Sequence, residues 1–200
     1  MKKSFIALVA VLTSCGAFAA ENLALNKTYT MSRKPNYKLT TNDTDNIELT
    51  DGKFSRGSRI WTSENTTVGW AGSQQVTITI DLGSEQPICG AMWSTAGGHA
   101  GVKWPDFINV FVSDDGKQWY LLGDLRKQVT PPEMGELNRC KFNTKAWKAK
   151  GRYVAFQAQN AYLFCDELQV FKGTPDMLQA DLSPLAIQGL PVNYTAPAKK

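Results

Sequence analysis

The segment from Val76 to Leu82, VTITIDL, places the strongest constraint on the fold of this chain. Its four apolar residues alternate strictly with Thr77, Thr79 and Asp81. Because successive side chains of a strand point to opposite faces, this period of two predicts a strand with one apolar and one polar face. Such a strand is stable only where a second layer of the protein covers its apolar face.

Six further short runs are typical of strands, because they are rich in Val, Ile, Phe, Trp and Tyr and no helical periodicity separates them. They are Ile88 to Trp93, Phe107 to Ser113, Trp119 to Leu122, Cys140 to Phe142, Arg152 to Ala158 and Glu167 to Phe171. The pair Asp115-Gly116 predicts a tight hairpin between the second and third of these runs. The whole pattern predicts an all-β fold, an antiparallel β-sandwich or jelly roll formed as a single domain.

Residues 1–19 have the composition of a signal peptide. Two lysines precede an apolar run from Phe5 to Leu12, and the small-residue site Ala17-Phe18-Ala19 follows. We therefore expect an exported protein, periplasmic or secreted. The alternative is a lipoprotein anchored through Cys15, because the residues before this cysteine also fit the bacterial acylation pattern. No later stretch approaches the ~20 apolar residues of a membrane-spanning helix, so we expect no span.

The remaining chain is predicted to form one β-sandwich domain, residues 20–173, followed by a C-terminal tail or linker, residues 174–200. The tail is rich in proline and scattered polar residues, a composition that buries little apolar surface. Within it, the stretch from Leu182 to Leu190 is apolar enough to lie against the domain.

The charge balance argues against two classes of partner. Of the 22 basic residues, four lie in the signal peptide or at the C-terminus, which leaves 18 to balance the 18 acidic residues. Binding to nucleic acid or to an anionic membrane surface depends on clustered Lys and Arg. We therefore expect neither partner.

Three cysteines, Cys89, Cys140 and Cys165, remain after the signal peptide. In an exported protein we expect one disulfide and one buried thiol, with the pairing left open. Their spacing matches no zinc-binding or redox motif.

Seven sequence pieces, in order, carry a resemblance to a known family. They are NLALNKTYT at 22–30, LTDG at 49–52, IW at 60–61, VTITIDLG at 76–83, VFVSDDGKQW at 110–119, GRYVAF at 151–156 and DELQVFKG at 166–173. From Asn22 to Gly173 the chain resembles the F5/8 type C (discoidin) family, which has the galactose-binding-like fold. It is most similar to the bacterial family 32 carbohydrate-binding modules.

The resemblance implies an eight-stranded jelly roll and a non-catalytic module that binds a glycan or polysaccharide through loops at one end. Two alternatives remain: a protein-interaction or cell-envelope adhesion module with a protein partner, and an accessory binding fragment of a glycoside hydrolase system. An enzyme is not expected, because the chain lacks GxSxG, HExxH and Walker motifs. Its carboxylate pairs, Asp114-Asp115 and Asp166-Glu167, are sequence neighbours that a strand points to opposite faces.

A structural calcium site is the second implication of the resemblance. By position its ligands would be Asp51, Ser58 and Glu167, in and after an acidic loop. Calcium requires six to eight oxygen ligands, which this loop and the last strand could supply together. The alternative is a turn capped by Asp and Asn side chains, with Glu167 solvated or paired to an Arg.

The candidate glycan ligands follow from the chemistry of sugars, which have an apolar C–H face and a polar rim. The loop from Ser94 to Pro105 supplies the only histidine, His99, together with Trp104, and these are the first candidates. Further candidates are Arg33, Tyr37, Trp70 and Tyr162, and also Trp61. We expect at least half of the six tryptophans to serve packing, Trp61 and Trp93 above all.

Overall fold

Eight antiparallel strands form the regular structure of the residues that the computed structural model describes, namely 20–40, 46–63 and 65–188. Their bounds are Tyr29–Met31 (β1), Val68–Gly97 (β2), Phe107–Ser113 (β3), Trp119–Asp124 (β4), Asn138–Thr144 (β5), Ala149–Cys165 (β6), Glu167–Lys172 (β7) and Ala186–Ile187 (β8). The described residues include short 3-10 turns but no α-helix, and none belongs to a helix long and apolar enough to cross a membrane. The predicted signal peptide and Cys15 lie outside the described residues.

The long strand β2 belongs to both layers of the sandwich. Its first half pairs with β1 and β6, and β6 continues to β3, β4 and β8, which completes the first layer. An irregularity between Asp81 and Gln86 turns the strand, and the stretch from Ile88 to Gly97 then pairs with β5 and β7 in the second layer. The two strands predicted at 76–82 and 88–93 are therefore confirmed as halves of one continuous element.

The core lies between the two layers. Val76, Ile78 and Ile80 are fully buried, as the alternating pattern predicts, and the Trp93 ring lies 6.5 Å from that of Phe156 across the layers. Burial of each large apolar side chain contributes about 1.5–3 kcal/mol. The predicted antiparallel β-sandwich is confirmed.

The two ends of the sandwich differ in their connections. Strand directions bring the ends of three long connections to one end of the sandwich, which we call the loop end. These connections are 98–106, 125–137 and the described parts of 32–67. The opposite end, the turn end, carries the short connections at 83–87, 114–118 and 145–148. Gly52, next to Asp51, donates to Glu167 at the start of β7, so the turn at Asp51 and the loop that contains His99 lie at the same end.

The predicted hairpin is confirmed at the turn end. Gly116 has φ +72°, and the Oδ1 atom of Asp115 accepts hydrogen bonds from the backbone N–H groups of Lys117 and Gln118, at 2.8 and 2.9 Å. These bonds are local, and the turn needs a residue that tolerates positive φ. Both features can be read from the sequence, which explains why the sequence predicts this hairpin.

The chain after Gly173 lies against the sandwich as far as residue 188. Leu182 is buried, and Ala186 and Ile187 pair with Tyr120 and Trp119 at the edge of the first layer. The predicted contact of the tail with the domain thus holds for Leu182 and Ile187. The domain boundary at Gly173 stays a prediction.

The expected disulfide is wrong for the described cysteines, since Cys89, Cys140 and Cys165 are all free thiols. Cys140 faces Thr95 across the sheet, six residues from Cys89 on β2, which corresponds to about 20 Å along a strand. Cys165, the last residue of β6, lies next to the start of β7. Because β7 and β5 lie on opposite sides of β2, Cys165 is about two strand spacings, or ~10 Å, from Cys140 on β5. A disulfide requires Cα atoms within about 7 Å.

Candidate functional site

The segment from Arg33 to Tyr37 is attached to the rim of the first layer at the loop end. The backbone N–H groups of Asn36 and Tyr37 both donate to the carbonyl of Gly69, at 3.2 and 3.1 Å. The Asn36 side chain adds a reciprocal pair of bonds with the backbone of Ala71. A Cβ atom at Gly69 would lie 2.3 Å from Thr40 Oγ1, so this close approach requires glycine.

Trp70 supports this segment and is not available as a ligand-stacking ring, which corrects the prediction. Its side chain is 1% exposed, and its Nε1–H donates to the backbone carbonyl of Arg33 at 3.1 Å. Strand β2 points this side chain inward, where the indole adds a hydrogen-bond donor to a large apolar surface.

Tyr37 and Tyr162 form the aromatic surface that we call the tyrosine platform. Their ring centroids lie 6.1 Å apart with planes at 88°, and Tyr37 also meets the buried ring of Phe164 edge to face, at 4.8 Å. Tyr162 is 42% exposed, and it pairs across the sheet with Ala71, to which Asn36 is bonded. The fold therefore brings the predicted residues Tyr37 and Tyr162 into contact, and Trp70 holds the backbone of Arg33 in the same segment as Tyr37.

His99 lies in the neighbouring loop of the same end and is exposed. Gly98, Ala100 and Gly101 around it have positive φ, and Val102 N–H donates to the His99 carbonyl at 2.9 Å. Val102 is buried in a small cluster with Trp61 and Phe164, against which Tyr37 also packs. The loop of His99 is thus held by the same cluster that supports the platform.

Trp104 is buried as well, which corrects the second of the two first candidates. It is 7% exposed, its ring meets that of Phe142 at 5.9 Å, and its Nε1–H donates to the carbonyl of Pro132 at 2.9 Å. The Trp104 indole therefore links its own connection, 98–106, to the connection 125–137, which contains Pro132. The expected packing roles of Trp61 and Trp93 are confirmed, since both are buried.

A groove that the sequence did not predict adjoins these loops, and we call it the Phe54 groove. It encloses about 700 Å³ and continues into a neighbouring recess of about 460 Å³. The ammonium of Lys141 lies 3.8 Å from the centre of the Phe54 ring. The lining residues are Lys53, Phe54, Ser55, Arg56, Gly57, Ser58, Thr62, Ser63, Asn65, Thr66, Arg139 and Lys141. The sequence feature that indicates this groove is Phe54, a single aromatic residue in an otherwise polar loop.

Arg139 and Asp166 hold one wall of this groove. Asp166 is fully buried, and its Oδ2 atom accepts from the guanidinium of Arg139 and from the backbone N–H of Ser55. Arg139 also donates to the backbone carbonyls of Ser55 and Gly57, at 2.8 and 3.1 Å. This buried ion pair fixes the loop across a sequence distance of more than 80 residues.

The structure brings two of the three predicted calcium ligands close together. The Oε2 atom of Glu167 accepts from the backbone N–H of Gly52 at 3.2 Å, next to Asp51. Asp51 accepts from the backbone N–H and the ammonium of Lys53, both at 2.8 Å. Ser58 instead lines the Phe54 groove. The described part of the chain holds no group of three or more His, Cys, Asp or Glu side chains placed to bind a metal ion.

Burial raises the pKa of Glu167 to about 8. The hydrogen bonds from Gln169 and Gly52 oppose this rise, whereas the nearby charges of Asp51 and Asp166 add to it. The charges of Asp51 and Asp166 are paired with Lys53 and Arg139, whereas the Glu167 carboxyl accepts hydrogen bonds from Gly52 and Gln169. Asp51 and Glu167 therefore lie close together, and the calcium site stays a prediction.

Searches against protein-family models and curated proteins find no match. Among solved structures, a mutant of the lectin binding domain of lectinolysin, in complex with Lewis b, is similar with TM-score 0.53 at 12% identity, over 78% of this chain and 99% of that one. A fucolectin from Morone saxatilis (striped bass) serum is similar with TM-score 0.51 at 15% identity, over 78% of this chain and half of that one. The module CpGH89CBM32-6 from Clostridium perfringens gives TM-score 0.49 at 21% identity, over 76% of this chain and 100% of that one.

The fold is therefore that of the lectinolysin and fucolectin domains, a galactose-binding-like, discoidin-type β-sandwich. This confirms the fold that the seven sequence pieces predict.

Proposed function

We propose that this chain is a non-catalytic carbohydrate-binding domain that holds a glycan at its loop end. The tyrosine platform is the stacking surface, and Arg33 and His99 are the hydrogen-bonding side chains beside it. The observation that carries the proposal is the exposed ring of Tyr162, braced edge to face by Tyr37 at the end where the long loops meet. The fold supports it, because similar domains are lectins, one of them in complex with Lewis b.

The platform suits a sugar better than an apolar ligand. A sugar ring presents C–H groups on one face, which pack on an aromatic ring, and hydroxyl groups on its rim, which need polar partners. Tyr162 keeps a ring surface open to solvent, and the phenol hydroxyls of both tyrosines and the exposed Arg33 supply polar partners. Because Trp70 and the segment's backbone bonds fix this arrangement before binding, little ordering of the protein opposes association.

The buried carboxyl groups do not form a catalytic pair. A raised pKa such as that of Glu167 can mark a general acid. Here, however, the side chain is fully buried beneath the loops, and its neighbour Asp166 is bound to Arg139. A glycosidic oxygen would have no access to either group. We therefore assign both carboxyl groups to loop anchoring and propose calcium as a structural ion held by Asp51, Glu167 and backbone oxygens.

Export of the protein belongs to the same proposal, because a glycan-binding domain meets its ligands outside the cytoplasm. Mass spectrometry of the mature N-terminus would distinguish cleavage after Ala19 from acylation of Cys15.

The test is glycan-array screening followed by isothermal titration with the best ligand, comparing wild type with Tyr162→Ala. Loss of one stacked ring is expected to weaken binding about 2- to 12-fold, since an aromatic contact contributes about 0.5–1.5 kcal/mol beyond burial. Tyr153→Ala is the matched control, because Tyr153 lies towards the turn end. Failure to bind any glycan, or equal loss in both variants, would contradict the proposal.

One observation favours a protein partner as the second candidate function. Leu39 and Met134, both about half exposed, lie on the connections of the loop end. Capture of a stoichiometric protein partner that free sugars do not displace, and that Leu39→Ser weakens, would favour an adhesion or envelope-interaction role. Release by sugars would instead favour a glycan on that partner.

A further inference from the structure

Another cavity lies on the outer face of the first layer, beside the start of the connection 125–137. It encloses about 290 Å³, near the lower limit of about 300 Å³ for ligand pockets. Strands β2, β3, β4 and β6 all contribute to it, together with Lys127 of the following 3-10 turn. It is lined by Gln75, Phe107, Asn109, Asp124, Lys127 and Gln157. We call it the amide groove, because three of its six residues carry side-chain amides.

The alternating pattern explains why amides line this face. Val76 and Ile78 of β2 and Phe156 of β6 point into the core, so that Gln75, Thr77 and Gln157 point outward. An outer face is normally solvated, yet Gln157 is only 3% exposed. Its Nε2 atom donates to Thr77 Oγ1 at 3.4 Å, which keeps the amide flat against the sheet.

One polar atom in the groove lacks a partner among the described residues. The side-chain oxygen of Gln75 is buried and accepts no hydrogen bond there. A buried acceptor without a donor costs about 1–3 kcal/mol of stability, so each such atom calls for an explanation. A ligand hydroxyl that donates to this oxygen would remove the cost.

The charge of the groove favours a neutral ligand. It holds one carboxylate, Asp124, and one ammonium, Lys127. The Oδ1 atom of Asp124 already accepts from the backbone N–H groups of Ile108 and Arg126, at 2.8 and 2.9 Å. Phe107, half-buried at the groove wall, adds an apolar ring surface. Amide donors and acceptors around one ring match the hydroxyl rim and the C–H face of a sugar.

We propose that the amide groove is a second binding site, which takes one neutral sugar residue on the outer face of the sheet. Gln75 and Gln157 hold its hydroxyl groups and Phe107 contacts its C–H face. The sugar as ligand class rests on the proposed function, but the site is separate from the tyrosine platform. Gln157 lies five residues before Tyr162 on β6, about 16 Å along the strand, and this distance exceeds the length of one sugar ring.

The test uses 15N-labelled protein and three probes: methyl β-galactoside, methyl β-glucoside and N-acetylglucosamine. Each is titrated to about 20 mM, enough to saturate a site with a dissociation constant of about 1 mM. Side-chain amide signals of Gln75, Asn109 and Gln157 report on the groove, and backbone signals near Tyr37 and Tyr162 report on the platform. At least one probe is expected to shift the groove signals along a saturating curve.

Gln75→Leu separates a binding role from a structural one. Replacing the unpaired amide by an apolar side chain of similar size should leave the melting temperature unchanged or raise it, and should abolish the probe-induced shifts at Asn109 and Gln157. Gln179→Leu, at an exposed amide elsewhere, is the control and should change neither. Absence of groove shifts with all three probes, or shifts that survive in Gln75→Leu, overturns the proposal.

The tyrosine platform and the amide groove can be rejected independently of each other. Tyr162→Ala should remove only the platform shifts, and Gln75→Leu only the groove shifts. Groove shifts, together with a glycan array that finds no ligand, would reject the loop-end glycan site and keep the groove. Platform shifts without groove shifts would reject the groove and keep the loop-end site.

Discussion

The two ends of the sandwich are held together by different kinds of contact. At the turn end, Asp115 bonds to residues two and three positions away, and Asp81 bonds to the backbone of Gly83. At the loop end, the buried carboxyl groups of Asp166 and Glu167 bond to Ser55 and Gly52, more than a hundred residues earlier. These turns can therefore form from local sequence, whereas the loops of the loop end form only once the whole sheet is in place.

This difference bears on function, because both candidate ligand surfaces at the loop end depend on distant partners. The Phe54 groove needs Arg139, and the tyrosine platform needs Trp70 to hold the segment at Arg33. Loops that are anchored in this way present their side chains in one arrangement, which lowers the entropy lost on binding. The comparison predicts that substitutions at the loop end disturb both stability and binding, whereas those at the turn end disturb neither strongly.

The largest effect is expected for Arg139→Ala. It leaves the buried carboxylate of Asp166 without its cation, and breaking a buried pair in this way costs about 3–5 kcal/mol. Urea denaturation should show this loss, and hydrogen exchange should show faster opening at Ser55 and Gly57. A loss of unfolding free energy below about 1 kcal/mol, the size expected for a solvent-exposed pair, would contradict the proposed difference between the loop end and the turn end.

The second effect concerns pH and Glu167. Burial raises the pKa of this carboxyl from 4.5 to about 8, so the folded state keeps a proton that the unfolded state has released. In chelator-treated protein the free energy of unfolding should therefore fall as pH rises between these two values. The expected fall exceeds about 1.4 kcal/mol, the equivalent of one pKa unit.

Glu167→Gln and calcium sharpen this prediction. The amide cannot titrate, so thermal melts of Glu167→Gln should lose this pH dependence, and the variant should be more stable than wild type at pH 8. Calcium should raise the melting temperature of wild type at pH 8 and leave the variant unchanged. An equal pH slope in both proteins would reject the assignment, and absence of any calcium effect would reject the metal site.

The sequence predicts most of the sheet because the determinants are local. The alternation at 76–82 requires one buried face, and the Asp-Gly pair at 115–116 requires a tight turn, so that both the strands and the hairpin follow from a few residues. The antiparallel sandwich then follows from the number of such strands and the lack of helices between them.

The site is predicted less well because exposure depends on tertiary packing. Tyr162 and Trp104 both follow short runs of small or polar residues, yet one ring is open and the other is buried against Phe142. No local pattern distinguishes them, because the segment that covers Trp104 comes from Pro132, 28 residues later. The same holds for the cysteines, whose separation depends on which side of β2 each neighbouring strand occupies.

The smallest effect is expected at the turn end, for Arg152→Ala. The hydrogen bonds from the Arg152 guanidinium lower the pKa of Asp81, so this pair contributes stability above the ordinary carboxyl value of 3.8 and loses it as pH falls through the lowered pKa. Both side chains are 42% exposed, so solvent and salt screen the attraction. Urea denaturation at pH 7 should therefore show a change far smaller than for Arg139→Ala, and high salt should remove it. Equal losses in the two variants would mean that burial does not make the ion pair of the loop end stronger than the exposed pair of the turn end.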